Sequence, residues 1–557
     1  MQFRWNHTQG APDYDRETGF GFVTGAVYTA DAALHIPETS SGFLPLWWYA
    51  GTPISDIRQS EYGLQATAAE ALRTEDAADR RLPVWLRIQV PGEGVYRAEI
   101  TVTGTDGGEV LIFTGRRRLA WRGVLPAGAQ QIVTAYCDVF PIVPRGQADA
   151  VASDAVNIAV VGGALTAVAL AEAPHTRRIW VCGDSTVTDQ TGELPYAPGT
   201  SYAGWGQMLP AYLPEVCITN HAHSGLTTES FLSEGHWAIV KPRLRAGDIC
   251  LFQFGHNDQK LAHLQARGGY TDRLRTYIKE TRTAGAVPVL ITPLARNSWR
   301  DPTHYNDFLA DFADAVLDLG KEEAVPVLDL HAYAMQLIRQ EGLETAKRWF
   351  YPGDYTHTND FGAYRMAGFV ASALGKAVGL PVADVPAWTP APPFAPLTPP
   401  KDCTLPAPDT DPFADYDATR PQEVLTRAEA LELAIKALKL FPINVYNDLY
   451  ADIVGHETYA GTVQCAAQND LIPAAWVADG KLYPQRTVTA ADFLAVLMPG
   501  AAGRRPLAAP SPLPDTVPAY ARFAAGQAVA EQLISADSLN IPMTRSDAAA
   551  LCRRLHI

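Results

Sequence analysis

Five mostly apolar runs in the middle of this chain constrain its fold more than any other feature. They lie at Ile179–Cys182, Val216–Thr219, Ile249–Phe254, Val287–Ile291 and Val325–Leu330. A strand that is apolar along its whole length is covered on both faces, as in a parallel sheet between layers of helices. Helical patterns lie between the runs, for example at Tyr270–Ala284 and His304–Leu319. This alternation predicts an α/β domain with a parallel sheet over 177–380.

The residues before this domain follow another pattern, with short alternating runs separated by glycine and proline. Val84–Val90 and Val95–Val102 flank a Pro-Gly turn, and this spacing predicts a β-hairpin. Similar runs follow at Glu109–Thr114 and Gln131–Tyr136. We therefore expect an N-terminal antiparallel β-sandwich over 1–176.

A proline-rich stretch separates the α/β domain from the rest of the multidomain chain. Residues 381–421 contain 12 prolines, which exclude a helix or a central strand and predict an extended linker. Beyond it, Thr426, Thr489 and Thr544 each precede an acidic residue by three positions, which is the pattern of a helix capping box. Their regular recurrence predicts a C-terminal all-α repeat domain over 422–557.

Composition and charge exclude several classes of function. The 557 residues include 45 Lys+Arg and 60 Asp+Glu, a net charge of -15 that repels nucleic acid and anionic membranes. The longest apolar stretch, Ile158–Ala171, is shorter than the roughly 18 residues of a membrane span and predicts two buried strands around Gly162 and Gly163. Because the first residues lack a secretory signal pattern, we expect a cytoplasmic protein, or a secreted or cell-surface one if a leader has been removed.

Two segments of the α/β domain carry the groups that nucleophilic catalysis needs. Ser185 follows the first apolar run, at the sheet edge where open α/β sheets bind their ligands. Asp354 precedes His357 by three residues, so its carboxylate can fold back onto the imidazole within one turn. A serine, a histidine and a carboxylate are the groups of nucleophilic acyl transfer. Taken alone, Asp184 or Ser185 also suits the N-cap of a helix.

Two further strand ends offer hydrogen-bond donors for a developing oxyanion. Gly225 permits a tight turn that presents its N–H, and the amide of Asn257 can point into the same cavity. With the N–H of Ser185, these groups make three donors around one oxygen.

Other residues in these segments have alternative interpretations. Asp258 competes with Asp354 as the carboxylate of the site, although its position beside Asn257 suits loop support better. His221 and His223 have a spacing that would suit a metal, but no carboxylate or cysteine cluster accompanies them. We expect these two histidines to line or support the cleft.

Together these segments resemble the conserved blocks of the SGNH (GDSL-type) hydrolases, and within them the rhamnogalacturonan acetylesterase-like members. The matching blocks follow one another as Gly183–Gln190, Gly204–Gln207, Asn220–Gly225, Phe254–Asp258 and Asp354–Thr358. The resemblance implies a flavodoxin-like three-layer fold over 177–380. It implies Ser185 as the nucleophile, His357 as the base and Asp354 as its orienting acid.

The resemblance also implies the rest of the site and the reaction. It implies an oxyanion hole formed by Ser185, Gly225 and Asn257. Supporting positions around the cleft fall on Asp184, His256, Asp258 and Thr356. The implied activity is removal of O-acetyl groups from a pectic polysaccharide or oligosaccharide through a covalent acyl-enzyme, with no metal or organic cofactor. An acetylxylan, acetylmannan or other SGNH esterase is one alternative, and a carbohydrate-binding or wall-anchored protein with a vestigial hydrolase domain is another.

The flanking regions carry looser resemblances. Residues 1–176 are similar to the galactose-binding-like sandwich of longer relatives, at Gly19–Phe22 and Arg116–Leu119. The C-terminal repeats resemble S-layer homology modules at Thr426–Ala430, but the second copy has Ala490 in place of the arginine. The implied partners are an acetylated plant cell-wall polysaccharide or oligosaccharide at the catalytic domain and a cell-wall polysaccharide at the repeats. A purely structural helical domain is the alternative for the repeats.

Overall fold

The computed structural model forms two compact units. The first comprises Met1–Gly255 and Thr271–Leu405, and the second comprises His256–Tyr270 and Pro406–Ile557. Much of the expected linker 381–421 lies outside the described residues, and the predicted domain boundaries stay predictions. The structure describes residues 2–15, 17–23, 27–28, 34–35, 55–68, 82–143, 149–190, 192, 196–301, 304–390, 411–438, 440, 449–454, 457–503 and 505–555.

The N-terminal part of the first unit consists of antiparallel strands. They are β1 (Gln2–Asn6), β2 (Phe20–Phe22), β3 (Val27–Tyr28), β4 (Leu34–His35), β5 (Ser55–Ser60), β6 (Gly63–Ala68), β7 (Val84–Gln89), β8 (Gly94–Thr103), β9 (Glu109–Thr114), β10 (Arg118–Val124), β11 (Gln130–Val139), β12 (Ala155–Val161) and β13 (Ala164–Glu172). One sheet has the order β11-β8-β13-β6-β5, with β1 beside β13, and the other has the order β10-β9-β12-β7-β2. Strands β3 and β4 pair with each other.

The inward-facing residues of the two large sheets form one hydrophobic cluster. Leu86 and Ile88 of β7 and Ile100 of β8 belong to it, and all three are fully buried. The predicted hairpin of β7 and β8 is wrong, because the two strands lie in different sheets. An alternating pattern marks the inward face of a strand but does not distinguish a partner beside it from a partner opposite it. The two strands predicted around Gly162 and Gly163 are confirmed as β12 and β13.

The second part of the first unit is built on a parallel sheet. Its strands and a small antiparallel pair are β14 (Arg178–Gly183), β15 (Cys217–Asn220), β16 (Ile249–Gln253), β17 (Val287–Ile291), β18 (Trp299–Asp301), β19 (His304–Tyr305) and β20 (Val327–Leu328). The parallel order is β15-β14-β16-β17-β20. The predicted parallel sheet is therefore confirmed. Its strand order reverses between β14 and β16, and open α/β sheets bind ligands at such a switch point.

Helices cover this sheet. They are α1 (Trp205–Met208), α2 (Ser230–Ser233), α3 (His236–Val240), α4 (Thr271–Thr283), α5 (Ala310–Glu322), α6 (Leu330–Ala346) and α7 (Asp360–Val378). Helix α4 confirms the helix predicted at Tyr270–Ala284. The helix predicted from His304 is wrong at its start, because His304 pairs with Asp301 in β18. The Asp307 carboxylate then accepts the N–H of Leu309 at 3.0 Å and ends the extended segment before α5.

The second unit is helical and has its own hydrophobic cluster. Its helices are α8 (Ala414–Ala418), α9 (Arg427–Ala437), α10 (Ala460–Gln468), α11 (Ala490–Ala502), α12 (Arg522–Ala530) and α13 (Arg545–Arg554). Thr426, Thr489 and Thr544 cap α9, α11 and α13 by accepting the N–H three residues later, as their sequence pattern predicts. Across the described ranges of both units, helices long and apolar enough to cross a membrane are absent.

Candidate active site

Ser185 lies in a turn directly after β14. The Asp184 carboxylate is fully buried and accepts the N–H of Thr186 at 3.0 Å and its hydroxyl at 2.8 Å. The Asp184 carbonyl accepts the N–H groups of Val187 and Thr188, both at 3.1 Å. Asp184 therefore caps a tight turn and not an α-helix, since α1 begins only at Trp205. The turn leaves Ser185 partly exposed at the carboxyl edge of the sheet.

The structure brings Ser185, His357 and Asp354 together in one hydrogen-bonded chain. Ser185 Oγ lies 2.8 Å from His357 Nε2, and His357 Nδ1 lies 2.8 Å from Asp354 Oδ2. The other carboxylate oxygen accepts the backbone N–H groups of Thr356 at 2.7 Å and His357 at 3.0 Å. These bonds fold Asp354 back onto the imidazole within one turn. This geometry fits a histidine that donates from Nδ1 and accepts the serine proton at Nε2.

Asp354 is a carboxylate at neutral pH. Burial raises its pKa, but the hydrogen bonds and charge of His357 and the two backbone donors outweigh burial and lower the pKa to about 2. A fixed negative charge at this position favours the proton on Nδ1 of His357. It also stabilises the imidazolium that forms when Nε2 takes a proton.

The turn that bears Ser185 is tied to the neighbouring strand β16. Gln253, the last residue of β16, donates its amide to Thr186 Oγ1 at 2.7 Å and accepts the indole N–H of Trp205 at 2.7 Å. Gly204 packs so closely that an added Cβ would lie inside van der Waals contact with the backbone of Val187 and Thr188. The block Gly204–Gln207 thus serves to seat α1 against the nucleophile turn, a role that the sequence did not indicate.

The loop of residues 220–225 also lies against this turn. Asn220 donates its amide to the carbonyl of Val187 at 3.0 Å and to Asp189 Oδ1 at 2.9 Å. The N–H of His223 donates to the carbonyl of Gly183 at 3.1 Å. Gly225 has a φ of 88°, a left-handed conformation that favours glycine. The role of its N–H in an oxyanion hole stays a prediction.

The two histidines of this loop are packing residues. His221 is buried and stacks on Trp180 with ring centroids 5.4 Å apart, and burial holds its pKa far below the ordinary range. The ring of His223 lies 5.4 Å from that of His236, whose pKa is lowered to about 3 by burial and by the neighbouring His223. Over the described ranges, groups of three or more His, Cys, Asp or Glu side chains able to hold a metal are absent.

Three predicted site residues lie in the segment that belongs to the second unit. This segment includes His256, Asn257 and Asp258 and follows directly after β16 and Gly255. The ammonium of Lys260 donates to Asn257 Oδ1 at 2.6 Å, so the oxygen of the amide is already engaged. Asp258 is fully buried. The oxyanion-hole role of Asn257 and the supporting roles of its two neighbours stay predictions.

Three further residues, Tyr202, Gln190 and Arg296, adjoin the triad. Tyr202 donates its hydroxyl to Asp354 Oδ2 at 3.4 Å, and its ring stands edge-on to His357 with centroids 5.7 Å apart. Gln190 donates its amide to the carbonyl of Ser185 at 2.8 Å. Burial lowers the pKa of Arg296 to about 10, against the opposing charges of Asp184 and Asp354. Gln190 stood in a recognised block, whereas Tyr202 and Arg296 lie outside all five blocks.

A cavity of about 970 Å³ lies beside the loop that carries Asp354. Aromatic, basic and acidic side chains line it, and they include Tyr351, Tyr355, Phe361, Trp388, Arg122, Lys347, Arg348, Glu109 and Asp354. Glu109 and Arg122 come from β9 and β10, and they form an ion pair at 3.1 Å. One wall of the cavity is therefore supplied by the antiparallel sheets.

Comparison with known proteins gives the following matches. The model of the GDSL-like lipase/acylhydrolase family matches residues 181–365. Rhamnogalacturonan acetylesterase RhgT from Bacillus subtilis is 33% identical over 222 residues, which cover 37% of this chain and 93% of that protein. The probable rhamnogalacturonan acetylesterase YesY from the same organism is 33% identical over 215 residues, covering 37% and 95%. The crystal structure of YxiM, also from Bacillus subtilis, has a TM-score of 0.36 and 19% identity, and covers 68% of this chain and 98% of that one.

Proposed function

Because this chain belongs to the GDSL-like lipase/acylhydrolase family and is a carboxylic ester hydrolase, we propose that it removes O-acetyl groups from acetylated rhamnogalacturonan or its oligosaccharides. The observation that carries the proposal is the chain of two 2.8 Å hydrogen bonds from Ser185 through His357 to Asp354. The substrate class rests on RhgT and YesY, which are named for this polymer.

The proposed reaction is a two-step acyl transfer. His357 Nε2 takes the proton of Ser185 as Oγ attacks the ester carbonyl, and Asp354 stabilises the imidazolium. Donors at Ser185, Gly225 and Asn257 hold the oxyanion, and His357 returns the proton to the departing sugar hydroxyl. Water, activated by the same histidine, then releases acetate from the acyl-enzyme. The protein groups named here supply every proton transfer in this scheme.

The cavity beside Asp354 adjoins the triad, although neither Ser185 nor His357 lines it, and it offers room for the sugar units next to the reacting ester. The ring of Tyr355, which is 46% exposed, offers a stacking surface to a sugar ring, whereas Tyr351 already stacks on Tyr202. A volume of about 970 Å³ leaves room for more than one sugar unit. Lys347 is 40% exposed in its side chain and is paired with the more exposed Glu344. The Lys347 ammonium donates to both oxygens of Glu344 at 2.8 Å, but such exposed pairs contribute little, so an acidic sugar can compete for it.

For the flanking regions we propose a galactose-binding-like β-sandwich at the N-terminus and S-layer-homology-like repeats at the C-terminus. The antiparallel sheets and the three threonine-capped helices support these assignments. Arg427 is buried and donates to the carbonyls of Trp476 at 2.6 Å and Leu482 at 2.5 Å. An arginine held in this way favours a structural role of the repeats over binding of a cell-wall polysaccharide.

Acetate release tests the proposed function. Acetylated rhamnogalacturonan, acetylxylan and acetylmannan are offered to the wild type and to Ser185→Ala. Loss of a triad serine typically lowers kcat on the order of 10⁶-fold, so the variant should fall to background. Serine-dependent release of acetate from another polymer would contradict the proposed substrate and support the proposed mechanism. Release from none of them, with Ser185 unlabelled by a fluorophosphonate, would favour the carbohydrate-binding alternative.

A further inference from the structure

Three consecutive arginines are buried where β9 turns into β10, two in the turn and one as the first residue of β10. Arg116, Arg117 and Arg118 are 4%, 0% and 6% exposed. Arg117 has a φ of 63°, an uncommon backbone conformation for a residue with a side chain. A buried guanidinium is costly unless it is paired and fully hydrogen-bonded. The hydrogen-bond partners of these arginines therefore identify the segments that the turn stabilises.

Arg117 reaches out of the antiparallel sheets into the α/β part of the unit. Its Nε donates to the carbonyl of Gln190 at 3.2 Å, and its Nη1 donates to Asp360 Oδ1 at 2.8 Å. Its Nη2 donates to the carbonyl of Tyr202. Both members of the ion pair with Asp360 are fully buried. One side chain thus fixes three separate segments of the catalytic part.

Two of these three segments contact the proposed triad directly. Gln190, whose carbonyl Arg117 holds, donates its amide to the carbonyl of Ser185 at 2.8 Å. Tyr202, whose carbonyl Arg117 also holds, donates its hydroxyl to Asp354 Oδ2 at 3.4 Å. The Arg117 guanidinium is therefore linked to the nucleophile turn through Gln190 and to Asp354 through Tyr202.

The other two arginines hold the neighbouring loop. Arg118 Nε and Arg116 Nε lie 3.4 Å and 3.7 Å from Asp189 Oδ2. Asp189 in turn accepts the amide of Asn220 at 2.9 Å. Arg118 also donates to the carbonyl of Ile218 within β15. The arginines are thus hydrogen-bonded to β15 and ion-paired with Asp189, which follows Ser185 by four residues.

We propose that Arg117 is a positioning residue of the esterase reaction, supplied to the α/β part by the N-terminal antiparallel sheets. Through its bonds to Gln190 and Tyr202, it holds the nucleophile turn and the segment that contacts Asp354 at a fixed separation. Misplacement of reacting groups by about 1 Å can lower a rate on the order of 10²-fold. The N-terminal region thereby completes the catalytic apparatus. The inference rests on the proposed triad, but it does not depend on which acetyl ester is the substrate.

The test is Arg117→Lys in the full chain, with kcat and KM measured on an aryl acetate. Lysine keeps the charge opposite Asp360, so we expect the fold to be retained. One ammonium cannot reproduce the planar fork that reaches four acceptors, which are the carbonyls of Gln190 and Tyr202 and the side chains of Asp360 and Gln207. We expect kcat to fall about 10- to 100-fold and KM to change less than about threefold, because substrate contacts are untouched. Circular dichroism and thermal melting verify the fold.

Arg87→Lys is the matched control. Arg87 is also a fully buried arginine, and it is paired with Asp154 at 3.1 Å and Asn157 at 3.4 Å within the antiparallel sheets. The substitution Arg87→Lys should lower the melting temperature and leave kcat unchanged. If Arg117→Lys is folded and keeps the wild-type kcat, or if Arg87→Lys lowers kcat equally, the inference is overturned.

Gln190→Ala provides a second, independent variant that removes the link to Ser185 and leaves every charge in place. We expect its kcat to fall about tenfold or more, again with little change in KM. A wild-type kcat for folded Gln190→Ala would contradict the inference even if Arg117→Lys failed to fold. An active Ser185→Ala would instead refute the triad itself, so the two failures are distinguishable.

Discussion

At the scale of single residues, Asp354 determines the tautomer of His357. Its carboxylate holds the proton on Nδ1 of His357 at a distance of 2.8 Å. Asp354→Asn offers an amide of the same shape, whose NH₂ group favours the other tautomer. We expect kcat on an aryl acetate to fall on the order of 10³- to 10⁴-fold with KM nearly unchanged. A loss of less than tenfold would show that another group orients the histidine.

The lowered pKa of Asp354 also predicts how its contribution to stability depends on pH. A carboxyl whose folded-state pKa is about 2, below its ordinary value near 4, stabilises the fold above the ordinary value. That contribution is lost as the pH falls through about 2. In urea unfolding at pH 7, the free energy of unfolding of the wild type should exceed that of Asp354→Asn. The difference between these two free energies should shrink from pH 4 to pH 2. A difference that is independent of pH would contradict this account.

How far the sequence could predict the site is clearest at the same scale. The three-residue spacing of Asp354 and His357 indicated their contact, because one turn of chain suffices to bring them together. Tyr202 could not be found in this way. Its contact with Asp354 depends on a fold-back of 152 positions along the chain. Such contacts have no local signal in a single sequence.

At the scale of elements, the close approach of α1 to the nucleophile turn is a sharp constraint. Gly204→Ala would place a methyl group against the backbone of Val187 and Thr188. We expect the free energy of unfolding to fall by about 1–3 kcal/mol and kcat to fall with it, because the turn that bears Ser185 must move.

Gly92→Ala is the control for this prediction, since an added Cβ there meets no atom within 4 Å. Its free energy of unfolding should stay within about 0.5 kcal/mol of the wild type. Urea unfolding and kcat of both variants give the comparison. Equal stability of the two variants would show that α1 is not held by close packing.

The elements also show where the sequence pattern is informative and where it is not. The five apolar runs predicted the parallel strands, because a strand buried on both faces has no polar side. The alternation in β7 and β8 identified buried faces but not the sheet in which each strand lies. The segment from His304 was misassigned as helix because its periodicity continues into α5, whereas pairing with β18 decides its actual conformation.

At the scale of the whole molecule, the antiparallel sheets and the parallel sheet share a hydrophobic cluster. Trp85 and Phe113 of the antiparallel sheets belong to the same cluster as Trp205 and Ile179 of the α/β part. A chain lacking 1–176 would expose this surface and would leave Asp360 buried without Arg117. We expect such a truncated chain to be insoluble or unfolded, as judged by soluble yield and circular dichroism. A folded, fully active fragment would contradict this prediction.

The sequence does not predict this shared hydrophobic cluster. The two regions differ in pattern at about residue 177, and one compact unit contains both. The sequence alone does not indicate the contacts of Arg117, because its partners Asp360 and Gln190 lie 243 and 73 positions away. Sequence patterns report local structure well, whereas the contacts that complete this site are long-range.

The central claim is that Ser185 forms a covalent acyl-enzyme, and mass spectrometry of quenched enzyme tests it most directly. The wild type is mixed with an aryl acetate, quenched in acid within the first turnovers and digested. The account predicts one acetyl group on the peptide that contains Ser185 and none on that peptide from Ser185→Ala. Turnover by the wild type with the acetyl group on a different residue, or turnover by Ser185→Ala at the wild-type rate, would contradict it.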